Sequence, residues 1–240
     1  MPGPHIIVGV DLAWGDRKPD GVCVIAYHDT KPAPRAVVRE VRLSVGDAPL
    51  LELATQLLAG PTFWAIDAPI VCVNAEGSRP VDKLTHIHFG KFHAGCHPAN
   101  LKLTARPPQS LRKLRARGYR ADWKTAAGPR IVSEVYPHPA MVRWFRLERV
   151  LKYKRPPKAN QLAEFARYQT LLQRLITREF PWLDLAAAAD LLDAPWSKNI
   201  EDQLDGLFCA LVGLWHVHHR GTRTQVLGDR KTGFILVPLV

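Results

Sequence analysis

Two apolar stretches of this chain each stop at a carboxylate. Ile6-Ile7-Val8-Gly9-Val10 ends in Asp11, and Phe63-Trp64-Ala65-Ile66 ends in Asp67. A near-continuous run of this kind reads as a strand buried on both faces. A charge at its end needs a metal ion, a cationic partner or solvent to compensate it. Read alone, Asp11 is equally compatible with a turn, since Trp14-Gly15-Asp16 follows. Three further acids accompany the pair: Glu134 inside the apolar segment Arg130–Tyr136, and Asp202 with Asp205 three residues apart at the start of a long helical pattern. Asp202 also suits a first-turn acid behind a capping Asn199, whereas Asp205 lies too deep for that role. Glu134 could pair with an arginine of the segment before it. Hard oxygen donors in this number suit Mg²⁺ or Mn²⁺. Two such ions about 4 Å apart can activate water and stabilise the leaving oxygen in phosphodiester cleavage.

The net charge of +11 and the pI near 9.8 point to a polyanionic partner, nucleic acid first, DNA or RNA. The excess is local. Lys102, Arg106, Arg112, Lys113, Arg115, Arg117, Arg120, Lys124 and Arg130 face one acid, Asp122, and Lys91 comes shortly before them. A second block comprises Arg143, Arg146, Arg149, Lys152, Lys154, Arg155 and Lys158. Ordinary surfaces mix signs, so the first block is the better phosphate-binding candidate. His86, His88, His93, Cys96 and His97 cluster ahead of it, in no known zinc-finger spacing. His97 or His138 could serve as a general acid or base, because an imidazole titrates near neutrality. Trp14 offers either a stacking surface for a base or a lid.

The elements that must position these groups are legible in outline. Ile6–Asp11, Gly21–Tyr27 and Arg35–Leu43 predict a three-stranded meander. Asp47–Leu58 predicts a helix with Asp47 as cap, stopped by Gly60-Pro61. The strand ending at Asp67 then runs parallel to a member of the meander, because a helix precedes it. Residues 71–130 form an insertion with short helices, one of them over Leu111–Tyr119. After the strand at Arg130 come helices over Pro139 to about Leu151, Asn160–Phe180, Leu183–Leu192 and Asn199–His216. Gly206, Cys209, Ala210 and Gly213 form a row of small residues on the last helix that would let it approach a sheet closely. A hairpin, Thr224–Leu227 with Gly233–Val237, closes the chain. No run of about 18 apolar residues predicts a membrane span. Met1–His5 does not open a signal peptide, and four scattered cysteines without a CxxC fit the cytoplasm. The oligomeric state stays open, a homodimer included.

The order of these motifs resembles the RNase H-like fold in its RuvC-type version. More closely, the chain resembles the DUF429 family, described as nucleases of RNase H fold. The resemblance rests on Gly9-Val10-Asp11 with Trp14-Gly15, Ala65-Ile66-Asp67-Ala68-Pro69, Arg79-Pro80 with Asp82, Glu134-Val135-Tyr136-Pro137-His138, and Asp202 with Asp205 and Cys209-Ala210. It implies an α/β fold: one RNase H-like domain over residues 1–240, a mixed five-stranded sheet flanked by helices, a large insertion after the fourth strand and a C-terminal β-hairpin. It also implies a metal-dependent nuclease with Asp11, Asp67, Asp202 and Asp205 as metal ligands and Mg²⁺ or Mn²⁺ as cofactor. Glu134 would be an extra ligand or a group that orients one. Trp14, Arg79, His97, Arg106, Arg112, Lys113, Arg130 and His138 are the expected substrate contacts. Two other readings compete. One is a non-catalytic nucleic-acid-binding protein on the same core. The other is an actin-like ATP-dependent phosphotransferase, for which the turns Leu12–Asp16 and Ala68–Ile70 supply few phosphate donors.

Overall fold

The computed structural model describes residues 3–154 and 157–240. Met1 and Pro2 of the N-terminal reading and Arg155 of the second basic block lie outside the described residues. The strands β1 (His5–Asp11), β2 (Pro19–His28) and β3 (Arg35–Val45) form the antiparallel meander. Helix α1 (Asp47–Gln56) crosses to β4 (Thr62–Asp67), which pairs with β1 in parallel. The insertion carries α2 (Pro80–Phe89), α3 (Arg106–Arg115) and the two-residue strand β5 (Arg120–Ala121). It leads into β6 (Arg130–Glu134), parallel to β4. Then follow α4 (Pro137–Trp144), α5 (Lys158–Glu179), β7 (Leu183–Asp184), α6 (Lys198–His218) and the hairpin β8 (Thr224–Asp229) with β9 (Gly233–Pro238).

The main sheet runs β5-β6-β4-β1-β2-β3-β7. It has seven strands rather than five, because the dipeptides β5 and β7 extend the edges of the expected five. Other boundaries differ for local reasons. Helix α3 starts earlier than expected, with Pro107 in the first turn, where a missing N–H costs nothing. Helix α4 stops at Trp144, and Arg146 then takes φ 53°, a left-handed conformation that no helix continues through. Leu183–Leu192 is not one helix. Its first two residues pair with the edge of β3, and only Ala186–Leu192 coils, as a 3₁₀ helix. Gly46, not Asp47, occupies the cap of α1, and Ser197, not Asn199, caps α6 through its hydroxyl and the Ile200 N–H (3.2 Å).

Helix α6 sits on one face of the sheet over β1, β2 and β4. Its outer side is closed by Trp144 of α4, Phe145 just after it and Tyr168 of α5, all packed against Phe208. The small-residue row makes the approach possible. A Cβ on Gly9 would lie 2.1 Å from the Ala210 nitrogen and 2.3 Å from the Gly206 oxygen, and one on Gly21 would lie 1.7 Å from the Asp202 oxygen. Backbone cannot yield locally to such contacts, so the helix would have to move. Gly9→Ala is therefore expected to destabilise the fold by about 1–3 kcal/mol or more. Gly15→Ala, with nothing within 4 Å of its Cβ, should stay within about 0.5 kcal/mol of the parent. Urea denaturation of the two variants measures the contrast.

Candidate active site

Asp11 and Asp67 are partners in the parallel β1/β4 ladder, so their side chains emerge on the same face of the sheet at its carboxyl edge. That face is the one covered by α6: two residues earlier in each strand, Gly9 meets Gly206 and Ala210, and the Ala65 side chain lies against Gly213. Close packing of α6 brings the fully buried Asp205 to the two strand ends. A feature absent from the sequence reading completes the cluster. Lys154, in the segment between α4 and α5, places its Nζ 2.7 Å from Asp205 Oδ2 and 3.8 Å from Asp11 Oδ2. The preceding Tyr153 donates its hydroxyl to Asp205 Oδ1 at 2.8 Å, and its ring packs against Tyr168.

Burial pushes the Asp11 carboxyl up to about 7; Lys154 pulls it down, while Asp205 and Asp202 push it up. Asp67 is raised well above the carboxylate range, first by burial and then by Asp11. Burial alone would lower Lys154, but Asp11, Asp205 and Asp67 hold it well above the ordinary lysine range. Burial thus disfavours the charged form of Asp11 and Asp67, and Lys154 is the cation that offsets it. Asp202 is turned to Lys198 (2.7 Å), which also holds Glu201 at 2.7 Å. Among the described residues, no group of three or more His, Cys, Asp or Glu side chains is arranged to hold a metal ion. The donor chemistry nevertheless suits Mg²⁺ or Mn²⁺, because such ions are commonly held by one or two carboxylates with water and phosphate completing the shell. The in-register pair Asp11 and Asp67 is such a set, and Lys154 is a cation already seated beside it.

Glu134 stands apart for a geometric reason. Its ladder partner is Ile66, not Asp67, so strand alternation sends its side chain to the opposite face. There it meets Arg79 through two hydrogen bonds, 2.8 and 2.7 Å, and Arg79 also binds Asp82 (2.8 Å) and the Val71 carbonyl (3.0 Å). The pairing of Glu134 with an arginine of the insertion is the alternative that the sequence left open. Arg79 is 2% exposed and therefore not available as a surface phosphate contact. Arg106 is likewise buried. It grips Asp20 in two places (2.8 and 2.6 Å), Asp47 (3.1 Å) and the carbonyls of Ala13 and Gly15. It therefore shapes the loop that carries Trp14 rather than touching a ligand. Asp20 also accepts from the Ala13 N–H (2.8 Å), so that loop has one fewer donor for a phosphate, as an actin-like reading would require. Lys113 pairs with Asp47 (2.6 Å), and Arg112 is exposed on α3. Arg130 begins β6, opposite Thr62, at the end of the sheet away from Asp67, and it donates to the Leu58 carbonyl (3.1 Å).

Trp14, 40% exposed, shares a small cleft of about 70 Å³ with Asp67, His97, Tyr136 and the buried pair Arg79 and Glu134, so Glu134 reaches the same cleft as Asp67 from the other face. His97 and Tyr136 also line a larger groove of about 450 Å³, with His86, His93, His138, Lys152 and Lys154. Within it the His138 Nδ1 lies 3.0 Å from the Tyr136 hydroxyl, and the His86 Nε2 lies 2.8 Å from the Cys96 carbonyl. Burial pushes the Cys96 thiol up, away from the thiolate that zinc would require. The histidines line this groove, and among the described residues they form no group of three or more metal donors. Lys154 and Tyr153 are the participants that sequence reasoning missed. Lys154 was visible only as one member of a basic block, with no periodic element to aim it.

A mixed sheet carries paired carboxylates at the carboxyl edge of its central parallel strands, and a third acid lies on the helix packed across them. A family model described as a protein of unknown function, DUF429, matches residues 9–232, and the chain belongs to that family. No curated protein and no solved structure matches the chain.

Proposed function

We propose that the protein is a Mg²⁺- or Mn²⁺-dependent nuclease that hydrolyses phosphodiester bonds in DNA or RNA. The observation that carries this reading is the in-register pair Asp11 and Asp67, joined at the strand ends by the buried Asp205. A divalent ion bound there supplies a lowered water pKa and charge neutralisation for the phosphate. Asp11 and Asp67 would hold it through their oxygens. Tyr153 and Lys154 keep Asp205 fixed beside them. His97, which lines both clefts, would move a proton at the leaving oxygen. Trp14 offers a face on which a base could stack at the edge of the cleft. The histidine- and lysine-lined groove supports a path for the polyanion, and the net charge of +11 supports its capture. No described helix is long and apolar enough to cross a membrane, and four free, buried cysteines suit a reducing compartment such as the cytoplasm.

Lys154 seated among the carboxylates also favours a second reading, a non-catalytic nucleic-acid-binding protein whose acid cluster is neutralised from within. One experiment separates the two. Metal-free protein is incubated with single-stranded, duplex, branched and RNA–DNA hybrid substrates, with and without Mn²⁺ or Mg²⁺. Cleavage of any of them that EDTA abolishes supports the nuclease. Binding without cleavage, indifferent to chelation, supports the second reading. Either way, Arg130→Ala at the far end of the sheet is expected to leave affinity unchanged. Lys152→Ala in the groove should weaken binding and reduce its salt slope by about 1, read by fluorescence anisotropy across a salt series.

A further inference from the structure

We infer that Lys154 fills one cation position of the carboxylate cluster permanently, so that the site takes up a single divalent ion rather than two; this rests on the metal-site reading above. One ammonium, Lys154 Nζ, is seated between two of the acids of the cluster, Asp11 and Asp205. Nζ lies 3.8 Å from Asp11 and 2.7 Å from Asp205, in the space between these two acids that a second ion would need. Asp205 Oδ1 accepts from the Tyr153 hydroxyl, and Oδ2, which has no hydrogen-bond partner among the described residues, is ion-paired with Lys154 at 2.7 Å. The other acid on the helix, Asp202, is held by Lys198. What remains open to a metal is the strand-end pair Asp11 and Asp67. A two-carboxylate site is sufficient for Mg²⁺ or Mn²⁺ when water and phosphate complete the shell. A lysine in this position brings one charge of fixed geometry and requires no second ion from solution. Its side chain, 31% exposed, also lines the histidine-lined groove through which a phosphate would enter.

The test is the number of Mn²⁺ ions bound by the full-length, metal-free chain in titration calorimetry, with Mn²⁺ electron paramagnetic resonance as the second measurement. The parent protein is expected to bind one ion, without the spin-coupled signal of a metal pair. Lys154→Met, which removes the charge and keeps the length, is expected to bind two ions, or to bind the first about tenfold more tightly. Lys154→Arg retains the charge and is expected to bind one. Two ions in the parent, with a coupled signal, would show that metal displaces Lys154 and would overturn the inference while leaving the metal site standing. One ion in both the parent and Lys154→Met, at equal affinity, would overturn it as well. Should Lys154→Met fail to fold, the ion count and the spectrum of the parent still decide. Absence of Mn²⁺ binding in the parent would remove the metal site itself, and the inference with it.

Discussion

Asp11→Asn is expected to lower metal-dependent cleavage by about a thousandfold or more while the protein stays folded. Losing the ion forfeits several kcal/mol of transition-state stabilisation, and each 1.4 kcal/mol is tenfold in rate. The fold should not suffer, because burial already disfavours the Asp11 charge and Asn keeps the shape. Its melting temperature in metal-free buffer should equal or exceed that of the parent. Asp67→Asn should behave in the same way, as its ladder partner with a carboxyl raised chiefly by burial. Asp205→Asn is a poorer probe. It disturbs Tyr153 and Lys154 together, so lost activity and lost packing would be confounded. Single-turnover rates for the first two variants, paired with their melting temperatures, check this prediction. Full activity in Asp11→Asn would exclude the carboxylate pair from the chemistry.

Arg79→Ala is expected to have the largest effect on stability, about 3–5 kcal/mol. The guanidinium is buried between Glu134 and Asp82, both nearly inaccessible, with bonds of 2.7 and 2.8 Å to the two acids. It also ties α2 to the end of β6 and to the Val71 carbonyl. Truncating it leaves two carboxylates buried without their counter-ion, and burial already pushes Glu134 up to about 7 against the pull of the arginine. A folded domain commonly has only about 5–15 kcal/mol in reserve, so the variant should be marginal at 37 °C. Combining Arg79→Met with Glu134→Gln should recover part of the loss, because breaking a pair costs more than replacing it. Urea denaturation measures both, and a loss below about 1 kcal/mol for Arg79→Ala would contradict the structural role assigned to this pair.

The contrast between these two acids shows what could be read from the sequence and what could not. Asp11 and Asp67 were legible because an apolar run that ends in a carboxylate marks both a buried strand and its end. The close approach of α6 was legible from Gly206, Ala210 and Gly213. Glu134 was ambiguous, since alternation tells which residues of one strand share a face but not how that strand registers against its neighbour. A shift of one position, to Ile66 rather than Asp67, sends Glu134 across the sheet. Arg106 read as a phosphate contact because charge density carries no sign of burial, and its partner Asp20 lies 86 residues away; Arg79 was flagged through the family resemblance, with Asp82 three residues on, but its second partner Glu134 lies 55 residues away. The count of strands fell short because a two-residue edge pairing such as β5 leaves no periodicity to detect. Lys154 escaped for a related reason: it lies between two helices, and only tertiary packing turns it toward Asp205.

The central claim is that Asp11 and Asp67 together hold a divalent ion. The most direct measurement is a crystal of the full chain soaked in Mn²⁺, with data collected at the manganese edge. The account predicts an anomalous peak at the carboxyl ends of β1 and β4, about 2.1 Å from an oxygen of each of the two carboxylates. A cluster that stays without metal at saturating Mn²⁺, or a peak bound elsewhere on the chain, would contradict it.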